Sequence, residues 1–222
     1  MNLKKIKLSL FINLLIVIMT IFSSIVMFTG FKFMHGYEVI LESTKLGMFR
    51  FFTVDSNIFM GIVSFIWCIK EIKILKGKKV SFKRRDYLLK LMSTTAVGLT
   101  FLVVFIYLGP IAEHGVASLL MNSNLFFHLI IPILSIIVFV LFEKEYELKF
   151  KDTFYGFIPT FLYAIYYLIN ILIHLENGTV SVQYDFYWFV QNGLWTAFIV
   201  VPIIFLLTYM ISFIIWELNK VI

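Results

Sequence analysis

Two side chains in this sequence, Thr53 and His128, have the types needed for nucleophilic attack on an ester. Thr53 lies in the segment RFFTVDSNIF at residues 50–59, and His128 lies in the strongly apolar segment FFHLIIPIL. A threonine hydroxyl becomes a nucleophile when a base within hydrogen-bond reach removes its proton, and histidine is the side chain that most often does so. The pair therefore predicts acyl-transfer chemistry, if the fold brings the two residues together.

Each of these residues also has a structural interpretation. The Thr53 hydroxyl can bond back to the carbonyl of residue 49, as hydroxyls in membrane helices often do. Asp55, Ser56 or Asn57 can cap the start of a helix. His128 can be a structural histidine whose polar atoms are satisfied by hydrogen bonds. Pro132 has no N–H to donate to the carbonyl of His128, so a kink is expected one turn beyond the histidine.

Further polar side chains are expected to surround Thr53 and His128. Some lie three or four residues from one of them and therefore share its helix face, and others lie near the same ends of other apolar segments. They predict a pocket in which an amide donates a hydrogen bond to the oxyanion, a contribution of about 3 kcal/mol per donor. The predicted substrate and oxyanion pocket contains Ser56, Asn57, Tyr107, Asn124, Asn170, Gln191 and Asn192.

The elements that must position these residues are membrane-spanning helices. The chain has 222 residues, of which 61% are hydrophobic and 14% charged, and its mean hydropathy is +0.95. A soluble domain carries roughly 45–50% apolar and about 25% charged residues. Several apolar runs are also long enough for the roughly 20-residue helix that crosses a bilayer. The composition predicts an all-α polytopic membrane protein.

The apolar runs predict a bundle of six transmembrane helices in a single domain that comprises residues 1–222. The first run follows Lys4, Lys5 and Lys7, but it is longer than the apolar part of a signal peptide and no small-residue cleavage site follows it. We therefore expect it to be an uncleaved span. The predicted spans are about 7–30, 49–69, 90–109, 124–142, 155–175 and 188–216.

The distribution of positive charge predicts the orientation. Sixteen of the nineteen Lys and Arg residues fall on one side of the predicted spans, nine of them between residues 70 and 90. The positive-inside rule therefore places both termini in the cytoplasm of a cell-membrane protein. Topology and contact with lipid headgroups explain the basic loop better than nucleic-acid binding does. Thr53 and His128 then both lie about 6 Å below the outer boundary.

The remaining reactive side chains predict no cofactor or metal. Cys68 lies inside an apolar run and has no cysteine partner, so it is interpreted as a small core residue. His35, His114 and His174 lie toward the outer side without the carboxylates of a metal site. Asp185 falls in a loop, where we expect it to be solvated.

The segments FFTVDSNIF, NLFFHLIIPIL and IPTFLYAIYYLINI resemble the androgen-induced-gene family of six-span membrane proteins and its bacterial relatives. Animal members of that family are threonine hydrolases that cleave lipid esters of branched fatty acids within the membrane. The resemblance implies that Thr53 is the nucleophile and His128 the base, with a lipid ester as substrate. The animal proteins lack the run Asp55–Ser56–Asn57 in this form, so the substrate is not implied to be the same.

The leading hypothesis is therefore an intramembrane hydrolase or acyltransferase of lipid esters, with membrane lipid as its surroundings and no nucleic-acid partner. The alternative is a non-catalytic transporter or ligand-binding membrane protein whose polar pocket opens to the outer side. A structural or assembly role is a third interpretation. Against transport, the sequence has no evident charge at mid-bilayer, no pair of Gly/Pro-interrupted helices and no internal repeat.

Overall fold

A computed structural model of the protein describes residues 3–37, 42–190 and 192–222. Over these residues the fold is helical, and the only β-type pairing is an isolated bridge between Glu176 and Thr179. Six long helical segments follow one another along the chain. They are α1 (Leu3–Thr29), α2 (Phe52–Leu75), α3 (Arg84–Ile111), α4 (Ser123–Leu141), α5 (Phe150–Ile173) and α6 (Leu194–Val221).

Five of these segments, α1, α3, α4, α5 and α6, are long and apolar enough to cross a membrane. This confirms the expectation of a helical protein with several helices that could span a membrane. The α2 helix is not among the five, although its 24 residues make it as long as α5. It carries Asp55 near its start and Lys70, Glu71 and Lys73 near its end.

Two of the segments contain a π-helical turn immediately before a proline. In α3, Arg84–Val103 is followed by a π turn at Val104–Leu108 and then by Gly109–Ile111, which includes Pro110. In α4, Ser123–Leu125 is followed by a π turn at Phe126–Ile130 and then by Ile131–Leu141, which includes Pro132. A proline cannot donate the regular helical hydrogen bond, and π turns of this kind are frequent at functional sites.

Segments α5 and α6 each begin with a 3-10 turn. In α5 the 3-10 turn Phe150–Phe157 precedes Ile158–Ile173, and in α6 the turn Leu194–Thr196 precedes Ala197–Val221. A separate 3-10 turn, Lys45–Arg50, leads into α2. A further short helix, Gly115–Ser118, lies between α3 and α4.

The α3 helix is the centre of the bundle. In its most apolar stretch 61% of the residues are buried, against 22–50% in the other four candidate spans. Its small residues allow close approach of neighbouring helices, which is how helices pack in a membrane. At Gly98 an added Cβ would lie 3.1 Å from a methyl group of Ile211, so glycine lets α6 pack directly against α3.

We call the two ends of the bundle the basic end, with loops 76–83 and 142–149, and the far end, with the described residues of 30–51, 112–122 and 174–193. At the far end the loop before α6 folds back into the bundle. Phe186, Tyr187 and Val190 belong to its main hydrophobic core. The expectation that Asp185 is solvated is wrong, because the folded loop leaves its side chain 1% exposed.

At the basic end, ion pairs connect the helices. Lys70 on α2 pairs with Asp86 on α3 at 2.5 Å, and Arg84 pairs with Asp152 on α5 at the same distance. Not every charge at this end is at the surface. Glu71 and Lys90 are fully buried inside the bundle. The sequence had placed Lys90 among the cations of the basic loop between residues 70 and 90.

Candidate functional site

Thr53 lies in the first turn of α2, at the far end of the bundle, with 8% of its surface exposed. The helix begins without a side-chain cap, so the interpretation of Asp55, Ser56 or Asn57 as a cap is wrong. Instead, the Ser56 hydroxyl and the Asn57 amide both donate to the backbone carbonyl of Thr53, at 3.1 and 2.7 Å. Ser56 also lies 3.2 Å from the hydroxyl of Thr100 on α3.

A cavity of about 80 Å³ lies against Thr53. Its wall is mostly apolar and is formed by α2, α3, α5, α6 and the folded loop before α6. Three threonines, Thr53, Thr100 and Thr160, and three tyrosines are among the residues that line it. The cavity therefore places a residue of a reactive type beside surroundings suited to a hydrocarbon chain.

The three cavity tyrosines hold the far end together through hydrogen bonds. Tyr187 accepts a hydrogen bond from the backbone N–H of Phe52 at 2.9 Å, and its hydroxyl lies beside the side chains of Thr53 and Tyr163. Tyr163 donates to the carbonyl of Arg50 at 2.5 Å. Burial raises the pKa of Tyr187 to about 12, so its hydroxyl stays protonated at neutral pH.

Asp185 anchors the third tyrosine and the loop itself. Its carboxylate accepts hydrogen bonds from the hydroxyl of Tyr167 at 2.5 Å and from the N–H groups of Phe189 and Val190 at 2.9 and 3.0 Å. Sequence reasoning missed these tyrosines and this aspartate. The aromatic run YDFYWF at residues 184–189 is the signal that a loop is apolar enough to fold into the bundle.

A second, larger space lies on the other side of Phe52 and Tyr163. It is a groove of about 520 Å³ between α2, α3 and α5, and both Asp55 and Ser56 line it. Its volume lies in the range of roughly 300–1,000 Å³ that is common for small-molecule sites. Phe52 and Tyr163 line both spaces and contact each other with ring centroids 5.0 Å apart. These two rings therefore form the wall between groove and cavity.

His128 is buried in the π turn of α4, with 1% of its surface exposed. Its Nδ1 lies 2.6 Å from the backbone carbonyl of Leu119. A carbonyl oxygen can only accept a hydrogen bond, so Nδ1 carries the proton and Nε2 keeps a lone pair. The group that orients His128, which the sequence does not reveal, is thus a backbone carbonyl in the segment before α4.

The chain segments that carry Thr53 and His128 are joined by Asn57. Its amide nitrogen donates to the carbonyls of Thr53, at 2.7 Å, and of Phe127, at 3.1 Å. These two carbonyl oxygens therefore lie within two hydrogen-bond lengths of each other. His128 is nevertheless not among the described residues that line the cavity or the groove. The pairing of Thr53 with His128 stays a prediction.

The other predicted pocket residues are spread around the far end. Asn124 is buried one turn before His128, and Asn170 on α5 donates to the carbonyl of Tyr184 at 2.9 Å. Asn192 is exposed, and Tyr107 is 37% exposed. None of these four lines the cavity or the groove, and Gln191 lies outside the described residues. The N–H groups of Asn57 are directed at backbone carbonyls rather than at the cavity.

No family model, no curated protein and no solved structure matches this chain. Among the residues that the structure describes, no group of three or more His, Cys, Asp or Glu side chains is arranged to hold a metal ion. Inference about function therefore rests on the geometry of the cavity, the groove, Thr53 and His128.

Proposed function

We propose that this protein is a six-span membrane hydrolase of lipid esters, with both termini in the cytoplasm and the far end at the outer side. Thr53 is the nucleophile and His128 the base, as the resemblance to the androgen-induced-gene family implies. The observation that carries the proposal is the position of Thr53 in the wall of an apolar cavity beside a larger groove. The excess of Lys and Arg at the basic end supports the orientation.

The groove and the cavity suggest how a lipid ester reaches Thr53. The groove is large enough for an acyl chain, whereas the cavity of about 80 Å³ takes only a small part of such a molecule. We infer that the chain lies in the groove and that Phe52 and Tyr163 turn aside to admit the ester carbonyl. For Tyr163 this movement breaks the hydrogen bond from its hydroxyl to the carbonyl of Arg50.

In the chemical step, Nε2 of His128 takes the proton of the Thr53 hydroxyl as the oxygen attacks the ester carbonyl. Collapse of the tetrahedral intermediate gives an acyl-threonine and releases the alcohol, which receives the proton from His128. Water then attacks the acyl-threonine and loses a proton to His128, which passes it to the Thr53 oxygen as the fatty acid leaves. The first turn of α2 favours the negative charge that develops, because the positive end of a helix dipole lies at the start of the helix.

One observation favours a second candidate function, a non-catalytic lipid-binding protein. The residues that line the cavity include three tyrosines but not His128, and the Tyr187 hydroxyl already lies beside Thr53. In that case the groove holds a lipid chain and Thr53 contributes only packing and a hydrogen bond. The two candidates differ in whether the Thr53 oxygen becomes acylated.

Acylation of Thr53 tests the proposal directly. The full-length protein in lipid nanodiscs is incubated with a fluorophosphonate probe and with a fluorogenic long-chain ester. We expect labelling and turnover in the native protein and in Thr53→Ser, and loss of both by at least 100-fold in Thr53→Val. His128→Gln can keep a hydrogen bond to the Leu119 carbonyl but has no basic nitrogen, and we expect a similar loss.

Thr29→Val is the matched control, because Thr29 also lies at the far end and, among the described residues, its hydroxyl bonds only to backbone carbonyls of its own helix. It should keep full labelling and turnover. Labelling that persists in Thr53→Val would contradict the nucleophile assignment. Binding of the ester without labelling or turnover in the native protein would favour the lipid-binding candidate.

A further inference from the structure

A cluster of charged and polar side chains is buried at the basic end, away from Thr53. It contains Lys90 on α3, Glu71 on α2, Asn13 on α1 and Glu143 just after α4, each with no more than 1% of its surface exposed. Charged residues are almost never buried this fully unless they are paired, and inside a membrane they are functional-site candidates. The site does not belong to the proposed ester chemistry, since none of these residues lines the cavity or the groove.

Lys90 is the centre of the cluster. Its ammonium donates to Asn13 Oδ1 and lies 3.1 Å from Glu143 Oε1 and 3.3 Å from the hydroxyl of Ser64. The ring of Trp67 covers it at 5.3 Å. Its three donors are thus directed at three oxygens, as expected for a charged lysine.

The carboxylates of the cluster accept fewer hydrogen bonds than the lysine donates. Glu143 Oε1 accepts from Lys90 and from the amide of Asn13 at 2.8 Å, but Glu143 Oε2 has no hydrogen-bond partner. Neither oxygen of Glu71 accepts a hydrogen bond of normal geometry from a described residue, although Ser9 and Asn13 lie beside it. Three buried carboxylate oxygens of the cluster are therefore left without a well-formed hydrogen bond in the described part of the chain.

The charges of the cluster do not balance if all three ionisable groups are charged. One lysine then faces two carboxylates that are near enough to repel each other. A buried charge without compensation costs several kcal/mol, and two carboxylates in one site avoid the cost when one of them binds a proton. The thiol of Cys68 and the phenol of Tyr87 also face the cluster, and both groups are normally neutral at pH 7.

We propose that Glu71 and Glu143 form an intramembrane proton-binding site, in which the pair holds one proton at neutral pH beside Lys90. A proton fits better than a metal cation, because the lysine ammonium already occupies the position among the oxygens and would repel a second full charge. Glu71 has no counter-ion in contact, so the proton resides mainly on Glu71. Glu143 keeps its negative charge against Lys90.

Infrared spectroscopy of the full-length protein, with the glutamate carboxyl groups labelled with ¹³C, tests this proposal. The carbonyl stretch of a protonated carboxylic acid is separate from the bands of a carboxylate. We expect the signal of one protonated glutamate per chain in sodium-free buffer at pH 7. We expect this signal to disappear in Glu71→Gln, in which a neutral amide replaces the neutral acid with little change of shape.

Glu143→Gln gives a second, independent outcome. With Glu143 neutral, Glu71 becomes the only counter-ion for Lys90, so the protonated signal should disappear in this variant too. Glu113→Gln, in an exposed part of the far end, is the matched control and should keep the signal. The native protein alone can overturn the proposal, because absence of a protonated glutamate at pH 7 contradicts it whether or not the variants fold.

Two other results would also overturn it. A protonated signal that survives in both Glu71→Gln and Glu143→Gln would belong to another residue. A rise in the melting temperature of the native protein with added sodium, absent in Glu71→Gln, would show that the site takes a metal cation instead of a proton. Neither result affects the assignment of Thr53 and His128, because turnover and infrared signals are measured separately.

Discussion

Filling the cavity beside Thr53 should stabilise the protein and abolish its proposed activity. Ala164 on α5 lines the cavity and is small enough for Ala164→Leu to extend into it. Unfilled volume costs about 24 cal/mol per Å³, so a cavity of about 80 Å³ corresponds to at most about 2 kcal/mol of recoverable stability. For a chain of this length, that corresponds to a melting temperature about 4–8 °C higher.

Two measurements check this prediction on the same sample. Thermal unfolding in detergent should give the higher melting temperature, and turnover of a long-chain ester should fall at least tenfold because the leucine occupies the space of the reacting group. Ala117→Leu is the control for added apolar surface, because Ala117 is exposed at the far end and does not line the cavity. Unchanged turnover in a stabilised Ala164→Leu would refute the assignment of this cavity as the reaction site.

Two further predictions concern the hydrogen bonds that close the far end. Tyr187→Phe leaves the buried N–H of Phe52 without its acceptor, and we expect a loss of about 1–3 kcal/mol in the free energy of unfolding, measured by chemical denaturation. An unchanged value would mean that water replaces the hydroxyl. Asp185→Ala removes the acceptor of three donors, so it should destabilise by at least about 3 kcal/mol and make residues 180–190 sensitive to limited proteolysis. Asp185→Asn, which keeps one oxygen acceptor, should be cleaved more slowly than Asp185→Ala.

The helical membrane class could be predicted from the sequence because it depends on the length and apolarity of continuous segments. The ends of the segments were less predictable. The predicted second span begins at residue 49, whereas α2 begins at Phe52 after a separate 3-10 turn. The predicted sixth span begins at residue 188, whereas α6 begins at Leu194, because the aromatic residues before it pack back into the bundle.

The candidate site was predictable only in part, for a physical reason. Helical spacing indicates which residues share a face, and it placed Ser56 and Asn57 beside Thr53 correctly. It does not indicate which hydrogen bonds are formed, so it did not reveal that both side chains donate to the carbonyl of Thr53. The count of positive charges also assigned Lys90 to a loop, although partners on α1 and after α4 hold it inside the bundle.

Because His128 is hydrogen-bonded to the carbonyl of Leu119, the tautomer of its ring depends on the length of the short segment between these two residues. The two residues are nine positions apart, and Asn122, between them, has a positive φ of 52° and accepts hydrogen bonds from the N–H groups of Phe33 and Met34. An insertion or deletion between residues 119 and 128 would shift the carbonyl away from the ring. The imidazole could then exchange its tautomers freely, and the basicity presented at Nε2 would depend on a loop that touches neither cavity nor groove.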